Sequence, residues 1–496
     1  MNQWMKRTCA MLIAVSMALC LAPAMAQENE TAIILNNEGV TVDGAAATTD
    51  AGSAVYVASD IVFYLEGQDF TYGEGEEKDG HPQAEADAHT VVHITAPGTY
   101  RLSGKLSAGQ VAVDLGEDAK KDESAVVTLI LDGVDITSTV APAVIFYNVY
   151  ECGEKDADTA TKDVDTSAAG ANVVLADGSV NTVNGSYVAR IYDPESIELS
   201  EDGTELVESK KLHKYDGAFY SKRTMNISGG EKGDGVLNIN AENEGLCSEL
   251  HLTIAGGVIN IVSGNDGINT NEDNVSVCAV SGGEVNITVD GSTGEGDGID
   301  SNGWLVISGG KVNASACGFS GDAGIDSDMG IYISGGEVIA GGNMLDHIAG
   351  GEQPYAVFEF ASRIKGGTAV TLKDESGNTV GEYAPVNDYM YLIVAGEEIK
   401  PGTYTLWQGD MQLAGSVSEM RGMMPMGGVG GMTPPDMPQG MELPGNFDPA
   451  QAGGFAGGRG FGGGRGGRGG AQGETSTEFV IAEGGSVFVN VGAAKE

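Results

Sequence analysis

A repeat of about 26 residues dominates the middle of the chain, between Met225 and Gly341. Each copy contains a serine or alanine followed by two glycines, and successive glycine pairs lie 27, 26, 27 and 26 residues apart. The second glycines of the five pairs are Gly230, Gly257, Gly283, Gly310 and Gly336. Valine and isoleucine alternate with polar residues after most pairs, as in Val258–Ile261, and this pattern is typical of β-strands. So fixed a period restricts the chain to an architecture in which each copy stacks on the next.

The period predicts an all-β protein whose core is a parallel β-helix, a β-solenoid with coils of about 26 residues. Two or three short strands per coil would let equivalent strands stack about 4.8 Å apart. An α/β fold is disfavoured because no helical pattern separates the strands. A propeller would need longer blades of four strands, and a β-sandwich would not keep so regular a spacing.

Composition divides the rest of the chain into segments around the solenoid. Residues 415–475 are rich in methionine, proline and glycine and then in arginine and glycine, with too few branched apolar residues to bury a core. We therefore expect this stretch to be disordered. The predicted segments are a signal peptide at 1–26, an N-terminal β cap at 27–90, the solenoid at 91–345, a C-terminal β segment at 346–414, the low-complexity region at 415–475 and a hairpin-like piece at 476–496.

The first 26 residues have the pattern of a cleaved export signal. Lys6 and Arg7 precede a short apolar run, Met11–Leu21, and the run is followed by the small-residue cleavage pattern Ala24-Met25-Ala26. The run is too short to span a membrane. We therefore expect a protein that is secreted, either extracellular or associated with the cell surface.

The chain is strongly acidic, with a formal net charge of −45, and loss of Lys6 and Arg7 with the signal peptide would make it −47. Such a charge disfavours binding to nucleic acid and favours binding of cations, above all divalent ones. The acidity could also serve only to keep a secreted protein soluble. The four cysteines beyond residue 26 form no C-x-x-C pair, so we expect them to be small buried residues.

A second motif precedes the glycine pairs at a constant distance. Asp300, in Gly-Ile-Asp-Ser-Asn, and Asp326, in Gly-Ile-Asp-Ser-Asp, each lie ten residues before the second glycine of their pair. In the preceding copy the motif is displaced by four residues, so the counterpart of Asp300 is either Asn269 or Asp273. Equal positions in a stack are neighbours, and carboxylates so close repel one another unless they are protonated or bridged by a cation.

These acids predict calcium sites, because Ca²⁺ takes six to eight hard oxygen ligands from carboxylates, amides and backbone carbonyls. The alternative is that aspartate and asparagine are simply turn residues that face solvent. The candidate ligands are Asp266, Asp297, Asp300, Asp322, Asp326 and Asp328, with Asn265, Asn269 and Asn302 assisting.

The repeat offers little for catalysis. Residues 226–345 contain 17 acidic residues, two lysines and no arginine, and no nucleophile motif, phosphate loop or metalloprotease signature occurs. A lyase would have to take its base from a loop such as Lys210–Arg223. The aromatic candidates for stacking on a sugar are Trp304, Phe319 and Tyr332, although each could equally serve packing.

Several stretches resemble one known family. The segments GTYRLSGKL (Gly98–Leu106) and LILDGVDIT (Leu129–Thr137), followed by repeated SGGEVNI and GDGIDS, are similar to the secreted carbohydrate-binding β-helix domains that share the shape of pectate lyases. The resemblance covers about Val91 to Leu345, with a further segment at Pro401–Leu406. It implies a right-handed parallel β-helix, bound calcium, and binding of acidic or cellulosic polysaccharide without cleavage.

The resemblance also implies which residues bind the metal. By match to the Asp-Gly-Ile-Asp turns, these are Asp266, Asp297, Asp300, Asp322 and Asp326. The chain departs from the pattern at Cys247, which stands in the aspartate position of its copy, and at the displaced third copy.

Three functions follow as hypotheses. The first is non-catalytic, calcium-dependent binding of polysaccharide, pectic-type or cellulosic, with Ca²⁺ bridging the carboxylates of protein and sugar. The second is a calcium-dependent polysaccharide lyase of the pectate type, and the third is a surface adhesin in which the solenoid is a stalk. We expect polysaccharide as the partner, no nucleic acid, no transmembrane segment and a monomer.

Overall fold

The computed structural model describes residues 30–153, 155–418 and 474–494. The predicted signal peptide and residues 419–473 of the predicted low-complexity region lie outside the described residues. Among the residues described, none of the helices is long and apolar enough to cross a membrane.

Almost every regular element is a β-strand. The strands before the repeats are β1 (Thr31–Leu35), β2 (Thr41–Val42), β3 (Ala45–Ala46), β4 (Val55–Ala58), β5 (Thr90–Ile94), β6 (Gly98–Leu106), β7 (Gly109–Asp114), β8 (Val127–Thr137), β9 (Val144–Asn148), β10 (Ala171–Leu175), β11 (Val180–Gly185), β12 (Val188–Tyr192), β13 (Glu198–Leu199), β14 (Leu206–Glu208) and β15 (Lys211–Tyr215). One short helix, α1 (Gln83–Ala86), and three 3-10 helices, Glu77–Asp79, Glu117–Lys121 and Pro194–Ser196, lie between them.

The repeats and the C-terminal part contribute the remaining strands. The repeats form β16 (Gly217–Ser221), β17 (Met225–Ser228), β18 (Val236–Ala241), β19 (Glu244–Ser248), β20 (Leu252–Ile254), β21 (Val258–Ser263), β22 (Ile268–Thr270), β23 (Val277–Val280), β24 (Glu284–Val289), β25 (Ile299–Ser301), β26 (Trp304–Ser315) and β27 (Gly330–Gly342). The C-terminal strands are β28 (Ile348–Gly350), β29 (Tyr355–Ile364), β30 (Val370–Asp374), β31 (Thr379–Tyr383), β32 (Tyr389–Ala395), β33 (Gly402–Gln408), β34 (Met411–Ser418), β35 (Glu478–Ile481) and β36 (Ser486–Ala493).

Ten parallel strands pair in a closed ring. The order around the ring is β8, β10, β17, β20, β23, β26, β24, β21, β18 and β11, which pairs again with β8. Alternate side chains of these strands, such as Ile259 and Ile261 of β21, point into one apolar core. The architecture is therefore a closed ten-stranded parallel β-barrel to which extra strands are added.

The all-β class predicted from sequence is confirmed, but the predicted right-handed parallel β-helix is wrong. The reason lies in β8 and β26, which are 11 and 12 residues long. Each pairs along one half with one series of short strands and along the other half with a second series. The two series therefore meet at both ends and close. The repeat period records only that strands follow one another at equal spacing, so it could not predict this closure.

A separate sheet of eight strands positions the candidate site. Its order is β25, β22, β19, β16, β9, β7, β5 and β4, and all neighbours are parallel except β4 and β5. Strand alternation points one set of side chains into the main core and the next set outward. Leu246, Ile268 and Ile299 face the core, and the residues that follow them, Cys247, Asn269 and Asp300, lie on the outer face.

The C-terminal strands form a second apolar core, which includes Phe358, Phe479 and Phe488. The two strands after residue 474 do not pair with each other: β35 pairs with β33, and β36 pairs with β29 and β34. The four described cysteines, Cys152, Cys247, Cys278 and Cys317, are buried and form no disulfide, as expected for small packing residues.

An asparagine ladder links successive repeats along one row of the barrel. Asn260 donates to Asn238 at 2.9 Å, Asn286 donates to Asn260 at 3.0 Å, and Asn313 donates to Asn286 at 2.7 Å. These side chains are half-buried, and the amides of Asn260 and Asn286 both donate and accept where water has limited access. The asparagine that recurs in β18, β21, β24 and β26 is thus a structural residue of the barrel.

Replacing Asn286 by alanine should lower the free energy of unfolding by about 1–3 kcal/mol, because Asn260 loses the amide that donates to it and Asn313 loses its acceptor. The matched control is Asn240→Ala, since Asn240 is exposed and makes a single ladder bond, to Asn184 at 2.8 Å. The control should change stability by no more than about 0.5 kcal/mol. Urea denaturation compares the two, and equal effects would show that the ladder contributes nothing beyond its individual bonds.

Candidate functional site

Three rows of side chains cross the outer face of the eight-stranded sheet, one residue from each repeat in each row. The central row consists of Tyr220, Cys247, Asn269, Asp300 and Asp326, which follow one another through the parallel pairing and a bridge between Ile299 and Ile325. A second row, three residues earlier, consists of Glu244, Asp266 and Asp297. A third row, two residues later, consists of Lys222, Glu249, Asn271, Asn302 and Asp328.

Most acids of these rows gather at the end of the sheet formed by β22 and β25. We call this surface the acidic face and define it by Glu244, Asp266, Asp297, Asp300, Asp322, Asp326, Asp328 and Asp346. Two of its members, Glu244 and Asp346, were not among the predicted candidates. Glu244 stands in the same row as Asp266 and Asp297, so alignment of the copies on this row would have found it.

The pairing decides between the two candidate counterparts of Asp300. Asn269 pairs with Asp300, so the hypothesis that Asp273 takes this position is wrong. Asp273 instead accepts a hydrogen bond from the Asn302 amide at 2.9 Å. The third copy has additional residues between its motif and its glycine pair, and they lie in the loops between β22 and β25. The strands therefore stay in register although the distance from the motif to the glycine pair differs.

Several carboxylates of the acidic face are partly satisfied by backbone donors from a neighbouring repeat. The Asp297 amide donates to Asp266 Oδ1 at 2.7 Å, and the Ala323 amide donates to Asp297 Oδ1 at 2.5 Å. Asp322 accepts from the Gly296 amide at 2.8 Å and from the Ser320 hydroxyl. One oxygen of each carboxylate therefore ties adjacent repeats together, which differs from the solvent-facing turn role considered from sequence, and the other oxygen accepts no backbone hydrogen bond.

Burial and mutual repulsion raise the pKa values of the acidic face. Burial raises the pKa of Asp300 to about 6, with a further contribution from Asp328, Asp346 and Asp322. Burial likewise raises the pKa of Asp326 to about 8, again aided by neighbouring carboxylates. The pKa values of Asp266 and Asp297 are raised for the same two reasons, burial first. The face therefore holds protons at pH values at which free aspartate is ionised.

Basic residues lie at the other end of the acidic rows. Lys214 forms an ion pair with Asp216 at 2.7 Å. Burial raises the pKa of Glu244 to about 8, and Asp216 adds to the effect. Burial lowers the pKa of Lys222, which stands next to Glu249 in the third row. The outer face thus changes from mixed charge at β16 to almost purely acidic at β25.

The carboxylate and amide oxygens of the acidic face are of the kind that binds a hard cation, but their arrangement suits such an ion less well. Among the described residues, no group of three or more His, Cys, Asp or Glu side chains is arranged to hold a metal ion. Two buried oxygens of the face, Glu244 Oε2 and Asn269 Oδ1, nevertheless make no hydrogen bond. Asn269 donates through its amide to Glu244 Oε1 at 3.0 Å and to Asp266 Oδ2 at 3.3 Å. Its carbonyl oxygen therefore remains available to a cation.

The other predicted ligands lie at the edges of this face. Asn265 is half-buried beside Asp266, and Asp328 is exposed at the end of the third row. The Asn302 amide donates to the Asn271 carbonyl at 3.0 Å as well as to Asp273. The rows therefore bring Asp266, Asn269, Asp297, Asp300 and Asp326 to the centre of the face and leave Asn265, Asn302, Asp322 and Asp328 at its border.

The three aromatic candidates have different surroundings. Trp304 is only 9% exposed and pairs within the barrel, which agrees with packing. Tyr332 is partly exposed, and the Lys162 ammonium lies 5.3 Å from its ring centre. Phe319 is 62% exposed and lines a cleft of about 370 Å³ on another part of the surface. Phe319 is therefore the aromatic side chain best placed to meet a ligand.

Sequence reasoning did not foresee how much of the outer face is covered. The strands β12, which ends at Tyr192, and β15, which begins at Lys211, pair as an antiparallel ribbon. Ile191 of β12 and Tyr215 of β15 pack over Tyr220 in an apolar cluster on the sheet. The aromatic residues at its ends, Tyr192 and Tyr215, were the available signal. The open part of the face therefore begins only after Cys247.

The chain belongs to the family of carbohydrate-binding domain-containing proteins, whose model matches residues 88–374, more than half of its length. A curated relative with the same description, from Acetivibrio thermocellus, is 30% identical over 171 residues. That match covers 34% of this chain and 44% of the relative, so the chain spans less than half of the relative's length.

A solved structure is also similar to this chain. It is described as the polysaccharide lyase-like protein from C. thermocellum, in a gadolinium derivative. The match has a TM-score of 0.34 and a sequence identity of 21%, and it covers 62% of this chain and 83% of the solved chain.

Proposed function

We propose that this protein binds polysaccharide at the cell exterior through the acidic face, in a calcium-dependent manner and without cleaving it. Membership of the carbohydrate-binding family supports a polysaccharide ligand. The observation that carries the proposal is the row in which Asn269, Asp300 and Asp326 follow one another on one open face. Acidic, pectic-type polymers fit this face best, because calcium would join the carboxylates of protein and sugar. Cellulosic polymers are the other ligand class.

The oxygen donors of the face support calcium as the bridging ion. The donors are carboxylate and amide oxygens, which suit Ca²⁺, and they include the two unbonded oxygens of Glu244 and Asn269. A cation would also offset the repulsion that helps to raise the pKa values of Asp300 and Asp326. Since the side chains in the described part of the chain do not surround an ion by themselves, oxygens of the sugar would complete its coordination.

A calcium-dependent lyase of the pectate type is the second candidate function. The observation in its favour is Lys222, whose pKa is lowered by burial and which stands beside Glu249. A lysine with a lowered pKa can act as a general base. Lys222 belongs to the mixed-charge end of the face, whereas Asp300 and Asp326 belong to the acidic end. Binding without cleavage therefore fits the arrangement better.

The double variant Asp300→Asn/Asp326→Asn should lose at least tenfold in affinity for polygalacturonate in the presence of calcium, since the amides remove two charges from the bridging row. Affinity electrophoresis or a pull-down with the full chain measures the effect. The matched control is Asp410→Asn, because Asp410 is an exposed acid on the C-terminal part of the chain. Wild-type binding should fall by a similar factor when EDTA replaces calcium.

Two results would contradict the proposal. Binding to every tested polymer that survives both EDTA and the double substitution would exclude the calcium bridge. Release of unsaturated, ultraviolet-absorbing products from polygalacturonate with calcium would support the lyase instead, and loss of that absorbance in Lys222→Gln would assign the base.

A further inference from the structure

A second cleft lies between the barrel and the C-terminal strands, and none of the residues that line it belongs to the acidic face. It has a volume of about 370 Å³. One wall is the turn after β26, which carries Phe319, and the other is formed by the end of β29 and the segment before β32. The side chains that define it are Phe319, Val386, Arg363, Lys365, Asp290 and Asp388.

Hydrogen bonds hold the floor of this cleft in place. The Asn387 amide donates to the carbonyls of Val289 at 2.6 Å and Ala316 at 2.8 Å, which ties the C-terminal strands to the barrel. The Gly366 amide donates to Asp388 Oδ1 at 2.8 Å, which fixes the loop that follows Lys365. The cleft is therefore formed before any ligand arrives, and a ligand would not have to order it.

The apolar side chains of the cleft are exposed although the surrounding structure is well packed. Phe319 and Val386 are each 62% exposed. The Phe319 ring lies directly against Gly291, where a Cβ atom would come within 2.8 Å of the ring. Gly291 therefore makes room for the ring while leaving much of the ring surface open. An exposed aromatic ring that rests on the backbone is a suitable platform for the apolar face of a sugar.

The cleft brings two cationic side chains close together. Within the described residues, neither Arg363 nor Lys365 forms an ion pair or a side-chain hydrogen bond, and both are exposed. The chain as a whole has a net charge of −45, so a cleft lined by two such cations is a local departure from its acidity. Asp290 and Asp388 lie in the same cleft and offer acceptors for hydroxyl groups. Cations, acceptors and an apolar platform together match one sugar residue that carries a carboxylate.

We propose that this cleft binds a single uronate residue of a polysaccharide, and that it needs no metal ion to do so. The sugar ring packs on Phe319 and Val386, its carboxylate pairs with Arg363 and Lys365, and Asp290 and Asp388 accept from its hydroxyls. This inference rests on the proposed function only in taking polysaccharide as the ligand. It assigns a second contact that binds the anionic polymer directly, whereas the acidic face binds it through calcium.

A single exposed site of this size should bind weakly, with a dissociation constant of about 0.1–1 mM for a short oligosaccharide. On a long polymer that also reaches the acidic face, the same contact would raise the overall affinity through the effective concentration of the second site. The cleft therefore explains how a strongly acidic chain could retain an acidic polymer when calcium is scarce.

The test is titration calorimetry of the full chain in EDTA with an oligogalacturonate and with a neutral cello-oligosaccharide of equal length. R363Q/K365Q should weaken oligogalacturonate binding at least tenfold and leave the neutral ligand unchanged, and F319A should weaken both. K232Q is the matched control, because Lys232 is also exposed and forms no ion pair among the described residues. Unchanged oligogalacturonate affinity in R363Q/K365Q, or equal binding of both ligands to the wild type, would overturn the inference.

The same variants separate this inference from the proposed function. Suppose that calcium-dependent binding is lost in Asp300→Asn/Asp326→Asn while R363Q/K365Q behaves as wild type. The proposed uronate site in the cleft is then wrong, and the proposed calcium-dependent site on the acidic face is supported. If binding in EDTA depends on Arg363 and Lys365 while calcium has no effect, the proposed uronate site in the cleft is supported and the proposed calcium bridge on the acidic face is wrong. Absence of any binding by the wild type, with or without calcium, would overturn both.

Discussion

Replacing Gly310 by alanine should lower the free energy of unfolding by roughly 3–5 kcal/mol, at the upper end for a single substitution. Gly310 has a φ of +71°, which alanine adopts only at a strain of about 1–2 kcal/mol. A Cβ atom there would lie 2.7 Å from both the Gly282 carbonyl carbon and the Gly283 carbonyl oxygen. Both atoms are backbone of the preceding repeat and cannot rotate away, so the repeats would have to move apart.

Gly133→Ala is the matched control for this prediction. Gly133 has a similar φ of +81°, but no atom lies within 4 Å of the position of a Cβ. Its substitution should therefore show the conformational strain alone, about 1–2 kcal/mol. Urea denaturation followed by circular dichroism measures both variants. If the two substitutions destabilise equally, the close approach of the repeats at Gly310 contributes nothing.

The repeat in the sequence was sufficient to predict that its copies form β-strands and to predict the register of the fourth and fifth copies, although not that of the third. The position of Asp300 next to Asp326 could be predicted because both lie ten residues before a glycine that turns in the same way. That prediction depends only on the local rule that equal strands pair in parallel at equal positions. Closure of the barrel depends on the long strands β8 and β26 pairing with two series at once, and no local pattern encodes such a non-local pairing.

The candidate site could likewise be predicted where it depends on the local repeat spacing, and not where it depends on pairing between distant strands. The central acids follow from the repeat, but the choice of Asn269 over Asp273 follows from strand pairing and not from distance along the chain. Glu244 was missed because its copy has Cys247 at the aspartate position, which hid the acid three residues earlier. The cations of the cleft, Arg363 and Lys365, lie 44 and 46 residues after Phe319, so they could not be associated with the aromatic ring from sequence alone.

In EDTA the protein should become less stable as the pH rises from about 5 to about 8, by on the order of 3 kcal/mol. Burial raises the pKa of Asp326 from 3.8 to about 8 and that of Asp300 from 3.8 to about 6. Because these pKa values are higher in the folded state, the folded protein retains protons that the unfolded chain releases. The resulting stability is complete below about pH 4 and is lost as the pH rises through the folded pKa values.

Asp326→Asn should flatten this pH dependence and be more stable than the wild type at about pH 8 in EDTA, because the amide cannot ionise in the buried row. Thermal unfolding at pH values between about 5 and 8 measures the slope, with Asp410→Asn as the exposed control. A wild-type stability that rises with pH over this range would contradict the prediction. If Asp326→Asn is the more stable protein, as predicted, aspartate at this position is less favourable for folding than asparagine, which points to selection for binding and not for stability.

Calcium should reverse the loss of stability at high pH. Cation binding requires ionised carboxylates, so calcium displaces the protons of the acidic face and binds more tightly as the pH rises. At a calcium concentration of about 100 times the dissociation constant, the folded state would gain about 2.7 kcal/mol. We therefore expect a large rise in the unfolding temperature at about pH 8, a small one at about pH 5, and none in Asp300→Asn/Asp326→Asn. Equal stabilisation of the wild type and the double variant would locate the ion elsewhere and remove the acidic face from the mechanism of binding.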